Sequence, residues 1–261
     1  MTPEQQTRHM DHALALAARG AGAVSPNPMV GAVLVAPDGE TVLGEGWHGR
    51  YGGPHAEVWA VRDAERRGLG DRLPETSLVV TLEPCSHTGK TPPCADLILD
   101  RRIPNVVIAH EDPFSEVAGR GILRLRAADV DVTVGVRERE ARRLNEAFLT
   151  HVATGRPLVT LKWALTLDGQ VATYTGHSRW ITSPDARALV HRWRAETDAV
   201  LVGAGTAEAD DPSLTVRDVE LREGQTQPLR VVLDRTGRLS PSLRLFTDEH
   251  AARTVAIVSE A

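Results

Sequence analysis

Ser77-Leu78-Val79-Val80-Thr81-Leu82-Glu83-Pro84-Cys85-Ser86-His87-Thr88-Gly89-Lys90-Thr91-Pro92-Pro93-Cys94-Ala95-Asp96 is the stretch on which the reading of this chain turns. It opens with an apolar run, Ser77–Leu82, the pattern of a buried strand. Cys85 follows that strand, and Cys94 stands after the loop 86–93 where a helical segment begins. These are the chain's two cysteines, too few for a disulfide framework. A helix N-terminus favours thiolate over thiol, so the cysteines stand where metal ligands are wanted. Upstream, Pro54-His55-Ala56-Glu57 opens another helix with an imidazole and a carboxylate two residues apart.

His55, Cys85 and Cys94 make three ligands for a zinc ion, and three is what catalytic zinc takes. The fourth position is then free for a water, whose pKa the metal lowers to roughly 7. Glu57 can face that water without ligating the metal and can carry its proton to a ring nitrogen and then to a departing amine. Zinc base deaminases show the pattern H-x-E…P-C-x-x-C. This chain fits the first half and departs in the second, where eight residues instead of two separate the cysteines. Two bland alternatives stay open. His87 could close the site as a fourth ligand of a structural zinc, and the cysteines could be ordinary buried thiols.

Outward from this site the pattern alternates helix and strand, an α/β fold. Residues 4–19 read as an amphipathic helix. Val30–Ala36 and Thr41–Glu45 flank the turn Pro37-Asp38-Gly39 as a hairpin. Helices are expected over 55–67, 95–101, 122–128 and 138–151, and strands over 105–109 and 132–135. Thr154-Gly155-Arg156-Pro157 breaks the pattern. It places a boundary between a deaminase domain, 1–150, and a second domain, 155–261. In the second domain strands are expected over 158–164, 198–203, 229–234 and 254–258. A turn is expected at 167–169 and a helix over 184–195.

Composition narrows the partners. The net charge is −5 and aromatics are 4% of 261 residues. A basic, aromatic-lined channel for nucleic acid is therefore not expected, although a nucleoside or nucleic-acid base deaminase remains the rival reading. No apolar run is long enough to span a bilayer, and Met1–Gln6 lacks the basic and apolar regions of a signal peptide. A cytoplasmic enzyme without a membrane partner, forming a homo-oligomer, is expected. Of 30 basic residues only Lys90 and Lys162 are lysines. A lysine kept against such an arginine bias can be needed for its compact, titratable amine.

Taken together, several motifs resemble one family. They are Ser25-Pro26-Asn27-Pro28-Met29-Val30-Gly31, Gly46-Trp47-His48, Pro54-His55-Ala56-Glu57-Val58, and the long loop from Thr81 to Asp96. The chain resembles the bifunctional riboflavin-biosynthesis deaminase-reductases, whose form of the site includes the long inter-cysteine loop. The resemblance implies a cytidine-deaminase-like three-layer domain followed by a dihydrofolate-reductase-like α/β domain. It implies zinc-dependent deamination of a small phosphorylated pyrimidine, a diaminopyrimidinone carrying a ribosylamino 5′-phosphate. Asn27, His48, His87, Lys90 and Asp112 would contact that substrate. Phe114 stands where the family has asparagine, and Gly119-Arg120-Gly121 matches.

In the second domain Leu161-Lys162-Trp163-Ala164, Leu167-Asp168-Gly169, Ser178-Arg179-Trp180, Val202-Gly203-Ala204-Gly205-Thr206 and Ala209-Asp210-Asp211-Pro212 carry the resemblance. It implies NADPH-dependent reduction of the ribosyl group. Lys162 and Asp210 would form an acid–base pair, with a plain inter-strand ion pair as the alternative. Ser178, Arg194, Leu214 and Arg217 would contact substrate. Ala164, Trp180, Thr206 and Asp210 would contact NADPH. Arg235 stands where the family often has serine, and the family's later glutamate-glycine-rich segment does not occur before Ala261. The second domain is thus expected to be incomplete, to reduce poorly and to leave strand edges unpaired.

Overall fold

The structure is a computed structural model that describes residues 1–86, 92–114 and 118–259. The chain divides into two compact units, Met1–Val159 and Thr160–Ala261.

The first unit begins with helix α1, Pro3–Ala17. Its N-terminus is closed by a reciprocal cap in which the Thr2 hydroxyl accepts from the Gln5 N–H and the Gln5 side chain accepts from the Thr2 N–H. Such a cap satisfies two of the amides a helix leaves open. Strands β1, Gly31–Val35, and β2, Val42–Trp47, pair antiparallel around the expected turn. There follow α2, Ala56–Arg66; β3, Ser77–Val80; α3, Cys94–Asp100; β4, Asn105–Ile108; α4, Arg120–Arg126; and β5, Asp131–Val134. The sheet order is β2-β1-β3-β4-β5, and β3, β4 and β5 run parallel.

Side chains alternate across a strand, and here both faces are covered. Ala32, Leu34, Leu78, Val80, Val106 and Ile108 pack under α2, α3 and α4. Val33, Val35, Val79 and Val107 face the other way, against Met10, Ala13 and Leu16 of α1 and Ala141. Burial on both faces explains the uninterrupted apolar run of β3, as in parallel sheets generally. The result is the expected three-layer arrangement.

One expected helix divides. In place of a single helix over 138–151 there are α5, Glu138–Leu144, and α6, Glu146–Thr154, with Asn145 outside helical geometry between them. The cause is tertiary. Asn145 is 2% exposed, and its side chain accepts from the Met29 N–H at 2.8 Å and donates to the Met29 carbonyl at 2.8 Å.

The second unit holds α7, Pro184–Ala195; β6, Ala199–Gly203; α8, Ala204–Asp210; β7, Leu229–Leu233; α9, Arg244–Thr247; and β8, Thr254–Ile257. The three strands form a parallel sheet in the order β6-β7-β8. Ala207, Leu214, Val232 and Leu245 make its small core. One expectation needs correction. Residues 158–164 form no strand. Leu158, Val159, Leu161 and Trp163 are exposed, and an apolar run becomes a strand only where a ladder partner takes its N–H and C=O groups. The Gly203-Ala204-Gly205-Thr206 segment forms the cap and first turn of α8. Helix α9 was not among the expected elements. The turn at 167–169 is present, with the Gly169 N–H donating to the Thr166 carbonyl. One face of this sheet stays open, with Leu201, Leu229, Leu233, Val255 and Ile257 exposed. Among the described residues no helix is long and apolar enough to cross a membrane.

Candidate active site

Two glycines of β2 decide how close α2 lies to the sheet. A Cβ on Gly44 would fall 2.3 Å from the Ala60 carbonyl oxygen, and one on Gly46 would fall 2.6 Å from that of Ala56. Only glycine lets a helix backbone ride so near a strand, and this contact seats the first turn of α2 against Gly46 near the end of β2. His55 is the N-cap of α2, and Glu57 lies in its first turn. Cys85 ends the segment leaving β3. Cys94 is the first residue of α3, and its N–H donates to the Cys85 sulfur at 3.2 Å.

These elements bring three donors together. His55 Nδ1 lies 3.3 Å from Cys94 Sγ and 3.6 Å from Cys85 Sγ, and all three ligand atoms fall within 4.8 Å of one another. The electrostatics suit a cation. The Cys85 thiol is lowered, first by the hydrogen bond from the Cys94 thiol and next by His55. Cys94 is pushed up by the same contact with Cys85 and by its burial. His55 is drawn up to about 9, chiefly by its hydrogen bond to the Cys85 thiolate. One imidazole and two sulfurs crowded together is a donor set for zinc. Glu57 is 3% exposed, and burial raises its pKa.

The cluster opens on a cavity of about 460 Å³ lined by Asn27, His48, His55, Glu57, Glu83, Cys85, Asp112 and Phe114, among others. Asn27 Nδ2 lies 3.2 Å from His48 Nε2, and His48 Nδ1 lies 3.0 Å from the Pro54 carbonyl oxygen. With Nδ1 donating to that carbonyl, Nε2 is an acceptor facing the Asn27 amide. Burial lowers the His48 pKa, which favours this neutral form. The structure therefore gathers Asn27, His48, Asp112 and Glu57 around the His-Cys-Cys cluster. His87 and Lys90 lie outside the described residues.

Sequence reasoning missed part of this wall. Phe148, His151 and Val152 of α6 also line the cavity. Phe148 and His151 fall within the helix expected over 138–151, which carried no site expectation, and Val152 lies just beyond it. Asn145, which turns α6 toward the cavity, holds the Met29 backbone two residues from Asn27. Asn145→Ala should therefore loosen the Asn27 segment. We expect KM for the deaminase substrate to rise about tenfold while zinc content stays at the parent level, the size expected for losing two buried hydrogen bonds. Steady-state kinetics with metal analysis measures both.

In the second unit the expected residues fall into separate groups. The Arg194 guanidinium donates to the Thr215 carbonyl at 2.7 Å. The Arg217 N–H donates to His191 Nδ1 at 3.1 Å, and its guanidinium reaches the Ser213 hydroxyl. Leu214 is buried between them in sequence, with φ +53. Ser178 and Trp180 line a shallow cavity with Asp168, and the Arg187 guanidinium stacks 4.2 Å over the Trp180 ring. Thr206 lies in the first turns of α8, and Ala164 in the segment without a ladder. Lys162 and Asp210 are both exposed, and among the described residues no ion pair joins them. The expected pairing required strand 158–164, which is absent.

Two family models match the chain. The cytidine and deoxycytidylate deaminase zinc-binding region covers residues 3–110, and the RibD C-terminal domain covers 157–261. The riboflavin biosynthesis protein RibD of Aquifex aeolicus is 45% identical over 260 residues, which cover 100% of this chain and 70% of that protein. The chain belongs to the RibD family. RibD of Escherichia coli is 45% identical over 251 residues, with 92% of this chain and 66% of that protein covered. Among solved structures, Acinetobacter baumannii RibD is similar with a TM-score of 0.88 at 40% identity, covering 100% of this chain and 71% of that one. A diaminohydroxyphosphoribosylaminopyrimidine deaminase/5-amino-6-(5-phosphoribosylamino)uracil reductase from Thermotoga maritima also gives 0.88, at 44% identity, covering 98% and 70%. The chain thus spans roughly two thirds of the length of its RibD relatives. Its first unit is the cytidine-deaminase-like part of a RibD, and its second belongs to the dihydrofolate-reductase-like RibD C-terminal domain.

Proposed function

We propose that this chain acts in riboflavin biosynthesis by hydrolysing the amine of 2,5-diamino-6-ribosylamino-4(3H)-pyrimidinone 5′-phosphate. The observation that carries the reading is the His55, Cys85 and Cys94 cluster with the buried Glu57 carboxyl beside it on one cavity wall, in a chain of the RibD family. When bound by these three ligands, zinc supplies a water acidic enough to attack at neutral pH. Glu57 takes one proton of the attacking water and delivers it to the ring nitrogen, then takes the second from the added hydroxyl and passes it to the departing amine, so that water and a C–NH2 group become a carbonyl and ammonia. Asn27 and His48, already joined to each other, orient the pyrimidine. Asp112, with His87 and Lys90, completes the substrate contacts, the lysine serving as a point charge for the phosphate.

For the second unit the corresponding reaction is NADPH-dependent reduction of the ribosyl side chain, as expected of the complete domain. Lys162 and Asp210 serve as acid–base groups there. Ser178, Arg194, Leu214 and Arg217 contact substrate, and Ala164, Trp180, Thr206 and Asp210 contact NADPH. The grouping of Arg194 and Arg217 around residues 213–217 supports an anionic ligand at that place.

Ammonia release from the phosphoribosyl diaminopyrimidinone, followed with metal analysis of the same sample, tests the deaminase. Chelation should remove zinc and activity together, and stoichiometric zinc should restore both. Ammonia release that persists after the metal is gone would overturn the assignment.

A further inference from the structure

Glu83 lies between β3 and the Pro84-Cys85 turn and is 3% exposed. Its carboxylate accepts four backbone N–H groups from one distant stretch of chain. Oε2 takes those of Asp112 at 3.1 Å and Gly119 at 2.9 Å. Oε1 takes those of Gly121 at 2.8 Å and Ile122 at 3.2 Å. The other side of this contact is equally tight, since a Cβ on Gly121 would fall 2.1 Å from the Pro84 carbonyl oxygen. The Asp112 and Phe114 wall of the cavity and the start of α4 are thereby fastened to the turn that carries Cys85. Asp112 in turn accepts the Phe114 N–H at 2.9 Å.

Four donors converging on two oxygens call for a group that only accepts. A carboxylate meets that demand, whereas a glutamine would present its own N–H donors to one of the two pairs. Glu83 is not one of the clustered donors His55, Cys85 and Cys94. Among the described residues its hydrogen bonds go to backbone, and through that backbone to Asp112. We propose that Glu83 is a positioning residue for substrate binding, holding Asp112 at a fixed distance from the Cys85 turn. The proposal rests on the deaminase reading above.

The test uses the full zinc-loaded chain with Glu83→Gln, Asp112→Asn and the double variant, assayed by ammonia release from the phosphoribosyl diaminopyrimidinone. Glu83→Gln should raise KM about tenfold or more, as loss of charge-assisted hydrogen bonds does. Its kcat should change little and its zinc content should match the parent. Because Glu83 acts through Asp112, the double variant should be no worse than Asp112→Asn alone, a non-additivity that a general structural role would not produce. Gly121→Ala pushes the same contact apart with Glu83 intact and should move KM in the same direction, which covers the case of a Glu83→Gln chain that does not fold. Amide exchange of the parent should show Gly119, Gly121 and Ile122 protected. Additive losses, a fall in kcat at unchanged KM, or loss of zinc from Glu83→Gln would overturn the proposal. So would fast exchange of those amides in a parent that releases ammonia, and this outcome sinks the clamp alone. A zinc-loaded parent that releases no ammonia sinks the deaminase reading first.

Discussion

Glu57→Gln should retain zinc and lose ammonia release by about a thousandfold, within the range that a positioned general acid–base group contributes. The substitution keeps the size of the side chain and removes its ability to accept and return a proton. Glu57 is buried in the first turn of α2, two residues from His55, so the change leaves the three donors and their backbone in place. The comparison that matters is between two variants. Cys94→Ala should lose metal and activity together, because it removes one of three donors within 4.8 Å of one another. Glu57→Gln should separate them. Zinc-replete Glu57→Gln protein with near-parental turnover would show that another group moves the proton. The same variant also discriminates a purely structural metal site, in which Glu57 would have no effect on any reaction.

The second large effect is on stability, in the second unit. Arg230, the second residue of β7, is 0% exposed, and each of its guanidinium donors is used. Nε donates to the Thr254 hydroxyl, and the two terminal nitrogens donate to the Ser213 and Leu245 carbonyls and to both oxygens of Asp248. Asp248→Ala leaves a buried cation short of two acceptors and should cost about 3–5 kcal/mol, the usual price of breaking a buried pair from one side. The combined Arg230→Met, Asp248→Ala change should cost less, because it leaves no charge behind. Chemical denaturation of the second unit, followed by Trp193 fluorescence, reads both. The pair also sets a pH dependence. The Arg230 hydrogen bonds lower the Asp248 pKa below its ordinary 3.8. A carboxylate lowered on folding stabilises fully above its unfolded value and loses that contribution as pH falls through the folded one. The second unit should therefore weaken on acidification below about pH 4, and the Asp248→Ala variant should lack that component of the loss.

Much of the first unit was legible from residues alone. Strands β1, β3 and β4 are short runs buried on both faces, and such runs look alike in sequence and structure. The start of α3 was marked by a local cause, Pro93-Cys94, and α2 ends just before Gly68, whose φ of +73 no longer fits a helix. The donors His55, Cys85 and Cys94 were legible because their chemistry restricts which side chains can occupy the site. The second unit was less so. The run 158–164 has strand composition, yet composition cannot supply a neighbouring strand. The Gly203–Thr206 segment has the glycines of a loop, yet it continues into α8 once Ala207 finds the core against Val232.

By itself the sequence determined the clustered donors His55, Cys85 and Cys94, the nearby carboxyl of Glu57 and the alternation that makes the three-layer unit. These follow from side-chain chemistry and from periods of two and 3.6 residues, both of which are local. Only the tertiary structure decided that Asn145 would break a helix to hold Met29, that α6 would line the cavity, that Arg230 would be buried within an apolar strand, and that Glu83 would gather four amides from residues 29 to 39 positions away. Each of these depends on a partner far along the chain. A polar side chain in a sequence reveals its capacity for hydrogen bonds, but the fold chooses which groups arrive to use it.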